Sequence, residues 1–236
     1  MSIVVVTGTG SGAGKTLAIS ALAAASEGPV AAVKLAQTGG GRSGDLFEIT
    51  RLSGCRDVHE FARYPGTLPP HHAARAAGLP ELQLAEAVRQ LIDLDADAPE
   101  RLVLVEGSGG LLTPFTALDG WTLPDLAVAV RAPALVVARP GSDAAAHAAL
   151  VTGRLAEDGV PIAGLVLAGW PDGDVDDDLR CALDDLAGLA PDGELAAVLP
   201  SSLGDGRDFR RRARRAVAPR FGGTFDWSAF RASLSA

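Results

Sequence analysis

Between Gly8 and Thr16 the chain reads Gly-Thr-Gly-Ser-Gly-Ala-Gly-Lys-Thr, glycines crowded in front of an ammonium and a hydroxyl. Glycines let backbone N–H groups come close to an anion, and the start of a helix adds its positive end. In that setting Lys15 can reach the β and γ phosphates of a nucleoside triphosphate, and the Thr16 hydroxyl can ligate Mg2+. Counted back from Gly14, the first glycine of the common phosphate loop would fall on Thr9. The nearest match is Gly8, which makes this loop one residue longer. The alternative is a glycine-rich turn from strand to helix with no ligand, and the Lys-Thr ending favours phosphate.

A second lysine stands out by scarcity. Of the 21 basic residues only Lys15 and Lys34 are lysine; the others are arginine. A chain that uses arginine for nearly every cation keeps lysine where a compact ammonium is needed and the broad guanidinium fork does not fit. Lys34 closes the apolar run Val30 to Lys34, so its ammonium is expected at the carboxyl edge of the sheet, beside the phosphate loop. Thr38, just beyond it, is either a turn hydroxyl or a substrate contact. A carboxylate, Glu106, ends the run Leu102 to Glu106 and precedes Gly107-Ser108-Gly109-Gly110. An acid at the end of a buried strand is where P-loop proteins hold magnesium, directly or through water. Asp45, after the glycine-rich stretch from Gly39 to Gly44, is the other candidate metal ligand, although acids open helices for dipole reasons alone.

The elements that must carry these groups alternate. Apolar runs without polar alternation, as in strands buried on both faces, cover Ile3 to Thr7, Val30 to Lys34, Leu102 to Glu106, Ala134 to Ala138, Ala163 to Ala168 and Leu195 to Leu199. Helical periodicity covers Lys15 to Ser26, Asp45 to Leu52, Glu81 to Leu94, Asp143 to Glu157 and Val175 to Leu186. Thr122, Ser142 and Asp226 are expected N-caps, and Gly54 a C-terminal stop. This order predicts one α/β domain over residues 1–236, with a mostly parallel sheet and helices on both faces. With 47% hydrophobic and 21% charged residues, the composition is that of an ordinary globular chain. A net charge of −8 argues against nucleic acid as the main partner. No apolar run reaches membrane-spanning length and the N-terminus lacks a leader pattern, so a cytoplasmic location is expected. Cys55 and Cys181 have neither metal nor disulfide spacing.

In order and approximate spacing, VTGTGSGAGKT, VKLAQTGGG, GDLFEITRLSG and LVEGSGGLLTP resemble the motifs of the ATP-dependent dethiobiotin synthetases of biotin biosynthesis, within the deviant P-loop superfamily. The resemblance covers most of the chain up to about Ala168-Gly169-Trp170-Pro171. It implies that one amine of 7,8-diaminopelargonate takes up CO2 as a carbamate, which attacks the γ-phosphate of ATP; the second amine then closes a cyclic urea. It implies that Lys15 and Lys34 stabilise charge, and that Thr16, Asp45 and Glu106 hold Mg2+. Gly12, Ala13, Gly14, Lys15, Thr16 and Leu17 would wrap the phosphates, with Gly107, Ser108 and Gly109 beside the nucleotide. Thr38 would touch the diamine. Ala168 and Gly169, with Pro200, Ser201 and Ser202, match the base-binding segments by position, and a homodimer is implied.

Departures from the pattern are local. Leu35 follows Lys34 where proline is usual, Ser108 replaces alanine, and Ala146 precedes His147 where asparagine is usual. A related P-loop synthetase acting on another carboxylate or amine is one alternative. A nucleotide-switched partitioning ATPase is another, but such proteins carry a further lysine early in the loop, and Thr9, Gly10 and Ser11 supply none. Outside these motifs, Pro69-Pro70-His71-His72 is expected to start a helix rather than bind metal, since adjacent residues face different sides. The cluster Arg210-Arg211-Arg212-Ala213-Arg214-Arg215, with Arg207 and Arg220 nearby, is either an anion site or a solvated helix paired with acids. Trp227 and Phe230 are expected to dock the last helix or a partner subunit.

Overall fold

The computed structural model describes residues 3–39, 43–205 and 208–234. The first half of the chain runs β1 (Ile3–Gly8), α1 (Lys15–Ala25), β2 (Val30–Thr38), α2 (Asp45–Ser53), β3 (Val58–Tyr64), α3 (Pro70–Ala77), α4 (Leu84–Asp97) and β4 (Leu102–Glu106). It continues through α5 (Leu123–Ala129), β5 (Ala134–Ala138), α6 (Ala144–Glu157), β6 (Ile162–Trp170) and α7 (Asp177–Gly188). The last elements are β7 (Ala197–Pro200), α8 (Phe209–Ala216) and α9 (Trp227–Leu234). Among the described residues the strands form one sheet in the order β3-β2-β4-β1-β5-β6-β7, and each neighbouring pair is parallel. Gly40 and Arg207 lie outside the described residues.

Why the strands read as unbroken apolar runs is plain from the two cores. Val5, Val33, Val103, Val105 and Val136 pack on one face with Phe115, Leu126 and Leu155. Val6, Ala32, Leu104, Leu135 and Val137 pack on the other with Ile19, Leu22, Ile49 and Ala213. Both faces are covered, as a parallel sheet requires.

Several expected boundaries move. Lys34 does not end its strand: β2 continues to Thr38 because β3, which the sequence reading lacked, pairs with Ala36, Gln37 and Thr38 through Ala62, Arg63 and Tyr64. Strand β3 (Val-His-Glu-Phe-Ala-Arg-Tyr) sits at the sheet edge with mostly half-buried residues, so it lacks the continuous apolar run that marks the other strands. Thr122 and Asp125 form a capping box at α5, Asp226 accepts from the Ala229 N–H at 2.9 Å, and Gly54 closes α2 with φ 78°. Ser142 is not the cap of α6; that helix starts at Ala144 after Asp143, with no side-chain cap bond. The helix expected from Glu81 begins at Leu84, and Glu81 instead accepts from the Ala117 N–H.

The unassigned groups find structural work. His71 Nδ1 lies 3.1 Å from the Pro114 carbonyl, and His72 pairs with Arg75. On α8, Arg211 pairs with Asp208, Arg214 pairs with Glu27, and Arg212 donates to the Ser202 carbonyl at 3.0 Å. Trp227 is buried, and Phe230 meets Trp170 edge-to-face at 5.8 Å, so α9 docks on the body of the chain. Both cysteines are free.

Candidate active site

The phosphate loop leaves β1 at the carboxyl edge of the sheet and is held by the Thr9 N–H, which donates to the Val137 carbonyl at 2.9 Å. Two of its glycines answer a steric demand. A Cβ on Gly8 would come within 2.7 Å of the Ala13 Cβ, and Gly14, at φ 98°, would place one 2.7 Å from the Ala168 Cβ. Neither position has room for a side chain, and φ 98° is disfavoured for L residues. Ala168, from the end of β6, therefore packs under the loop where α1 begins.

A cavity of about 340 Å3 opens over this loop, lined among others by Gly12, Gly14, Lys15, Thr16, Lys34, Thr38, Asp45, Glu106, Ser108 and Gly109. Both lysines reach it and both are buried. Lys15 Nζ donates to the Gly109 carbonyl at 2.6 Å and lies 3.4 Å from the Gly10 carbonyl. Lys34 Nζ sits between two carboxylates, 2.5 Å from Asp45 and 2.9 Å from Glu106, and donates to the Gly107 carbonyl at 3.1 Å. The Thr16 hydroxyl lies 3.3 Å from Glu106 Oε1. Ser108 donates to the Ala36 carbonyl at 2.5 Å, so this departure from the motif stitches the β4 loop to β2.

Burial sets the electrostatics. It pushes the Lys15 ammonium below its usual pKa, with the Glu106 charge as a partial offset. Burial opposes the Lys34 charge as well, but Glu106 and Asp45 outweigh it and hold Lys34 above the ordinary lysine range. The Glu106 carboxyl is pushed up by complete burial against the pull of Lys34. The site thus presents two ammonium groups and two carboxylates in a small volume, a setting for an anion that brings its own counter-charge.

Thr16, Asp45 and Glu106 offer hard oxygen donors around one corner of the cavity, the donor type Mg2+ takes. Among the described residues no group of three or more His, Cys, Asp or Glu side chains is arranged to hold a metal. An ion here would complete its shell with phosphate and water oxygens, which suits Mg2+.

Not every expected contact converges on this cavity. Ala13 is buried beneath the loop, Leu17 Cδ1 lies 3.9 Å from where a Gly204 Cβ would stand, and Gly169 lies near Arg139. Pro200 ends β7, and the Ser201 and Ser202 hydroxyls both donate to Asp172 at 2.7 Å. These residues form a separate stretch along the same sheet edge, on the β6–β7 side of the loop. Three lining residues have no role assigned from the sequence, Ser11, Ala36 and Gln37, and of these Gln37 brings a buried side-chain amide, 5% exposed. Its only signal was a polar amide next to the end of an apolar run.

A parallel sheet with a phosphate loop after β1, a lysine and threonine opening α1, and an acid ending a neighbouring strand define a P-loop nucleotide-binding protein. A family model described as an AAA domain matches residues 3–197. An ATP-dependent dethiobiotin synthetase from Saccharopolyspora erythraea is 44% identical over 241 residues, 97% of this chain and 100% of that protein. Its counterpart from Frankia casuarinae is 45% identical over 239 residues, 98% of both chains. That from Rhodococcus jostii is 49% identical over 193 residues, 79% of this chain and 81% of that one. The MinC:MinD cell division protein complex of Aquifex aeolicus shares the fold, with a TM-score of 0.53 at 14% identity over 90% of this chain and 86% of that one. This chain belongs to the family of ATP-dependent dethiobiotin synthetases, and it is an ATP-dependent ligase.

Proposed function

We propose that the enzyme joins 7,8-diaminopelargonate and CO2 into dethiobiotin, a cyclic urea, with conversion of ATP to ADP and phosphate. The observation that carries this reading is that the only two lysines of the chain open on one cavity beside the phosphate loop. One amine of the diamine adds to CO2 and loses a proton, giving a carbamate. A carbamate oxygen then attacks the γ-phosphorus and expels ADP, leaving a carbamic-phosphoric anhydride. The second amine attacks the carbamoyl carbon, loses its proton and expels phosphate as the ring closes.

Each residue has a task in that sequence. Lys34 holds the carbamate and neutralises the oxygen that attacks phosphorus; Lys15 takes charge on the transferring phosphoryl group. The backbone from Gly12 to Leu17 cradles the phosphates, and Thr38 contacts the diamine. Thr16, Asp45 and Glu106 are the groups that would hold Mg2+, which would supply charge neutralisation at the phosphates. Gly169, Pro200, Ser201 and Ser202 line the path of the base with Ala168 buried behind them under Gly14, and Gly107, Ser108 and Gly109 flank the nucleotide. With this reading go a cytoplasmic location and a homodimer. Among the described residues no helix is long and apolar enough to cross a membrane. The outer face of α6 exposes Ala146, His147, Ala149 and Leu150, a surface of mostly small and apolar side chains suited to a second copy.

Mass spectrometry tests the reaction. Purified enzyme, the diamine, 13C-bicarbonate and ATP should yield a cyclised product carrying the label, with one ADP released for each ring. ATP turnover indifferent to diamine and bicarbonate would overturn the reading.

A further inference from the structure

We propose that Gln37 is a positioning residue that fixes the first turn of α2, and through it the Asp45 carboxylate against Lys34; its bearing on catalysis rests on the ligase reading above. Helix α2 begins at Asp45, and its N-cap, Gly44, has no side chain to satisfy the first N–H groups. Gln37 satisfies one of them from β2. Its Oε1 accepts the Asp45 N–H at 2.9 Å, while its Nε2 donates to the Thr38 carbonyl at 3.1 Å. Both ends of the amide are engaged, so its orientation is set.

The fit around that amide is tight. A Cβ on Gly44 would come within 2.7 Å of Gln37 Oε1, so a side chain at position 44 would push the glutamine off the Asp45 N–H. The cap is therefore supplied by the strand that carries Lys34. One segment of β2 thus provides both the ammonium and the anchor for its partner carboxylate, 2.5 Å away. Asp45 is a third exposed at its side chain, far more open than Glu106, so backbone anchoring matters more for it. The charged groups facing Lys34 are Asp45 from α2, Glu106 from β4 and Lys15 from α1. Glu60, its register partner on β3, is paired with Arg63. Of the groups around Lys34, only Asp45 bonds to Gln37.

The anchor is measurable without substrate, as amide hydrogen exchange. In Gln37→Met, which keeps the shape and removes both amide bonds, the Asp45 N–H and the first turn of α2 should exchange about 10-fold faster than in the parent, while the last turn, closed at Gly54, exchanges as before. In turnover, kcat should fall about 10-fold to 100-fold while KM for ATP changes much less, the pattern of a misplaced group rather than a lost binding contact. Should Gln37→Met fail to fold, Gln37→Glu serves: it keeps the acceptor for the Asp45 N–H, and exchange there should stay at the parent's rate. Parent-like exchange at the first turn of α2 in Gln37→Met, or faster exchange along the whole helix, would overturn the proposal, as would faster exchange at Asp45 in Gln37→Glu. A parent enzyme that makes no cyclic urea would instead overturn the ligase reading, leaving the exchange result standing.

Discussion

Lys34 and Glu106 are register partners across the β2–β4 ladder, and their side chains close to 2.9 Å at the carboxyl edge of the sheet. Neighbouring parallel strands thus fix the pair directly, without a loop between them. Glu106 is fully buried, and a carboxylate there needs a cation beside it.

Lys34→Ala should lower urea formation by about 100-fold or more, since it removes a charge aimed at the reacting oxygens. ATP affinity, measured by isothermal titration calorimetry, should change little. Turnover equal to the parent would remove Lys34 from the reaction.

Lys15→Ala separates the other lysine by the opposite pattern. Loss of a charge-assisted contact to phosphate should weaken ATP binding by about 10-fold or more, along with turnover. An unaltered nucleotide titration would contradict the assignment of the loop.

Glu106 gives a pH dependence with a definite sign. Burial raises its folded pKa above the ordinary 4.5, so the folded state keeps the proton longer than the unfolded chain does. Its contribution to stability is full below that value and is lost as pH rises through the folded pKa. Glu106→Gln has no proton to release, so parent minus variant stability should be lower at neutral pH than at pH 4.5. Urea unfolding at the two pH values measures this, and a constant difference would exclude it.

Gly14→Ala should cost about 1–3 kcal/mol, through a side chain at φ 98° and contact with Ala168. Nucleotide binding should weaken in parallel. Ala168→Gly in the same chain should return part of the stability, because it clears the contact but not the φ penalty; thermal unfolding of the three proteins resolves the two contributions.

Trp227→Ala should destabilise by about 3 kcal/mol while leaving kcat and KM of the folded enzyme intact, since the indole is buried against Phe225 and Phe230 and no residue of α9 lines the cavity. A change in KM for either substrate would place α9 in contact with the site.

Much of this arrangement was legible in the residues. Strands β4 and β5 fall where their apolar runs fall, because both are buried on two faces and no polar residue interrupts them. The lysine count pointed to Lys15 and Lys34 before any geometry, since compact ammonium groups in an arginine-rich chain mark crowded anionic sites. What escaped was non-local. Strand β3 mixes charged and apolar residues because only one of its edges is paired among the described residues, and without it the apolar run of β2 ends at Lys34. Gln37 could not be assigned because its partner, the Asp45 N–H, is brought to it only by the turn between β2 and α2.

The two edges of the sheet bear on how the enzyme behaves at high concentration. At β7 the outer side is bridged by Val217, which lies antiparallel to Ala197. Among the described residues no strand pairs with the outer side of β3, but that strand carries Glu60 and Arg63 locked in an ion pair, with His59 on Asp57. Fixed charges along an open edge discourage a stray strand from another molecule from extending the sheet. Replacing that quartet with apolar residues would invite intermolecular pairing one strand away from Lys34, so the same edge that hid β3 from recognition keeps the catalytic strand from being drawn into aggregates.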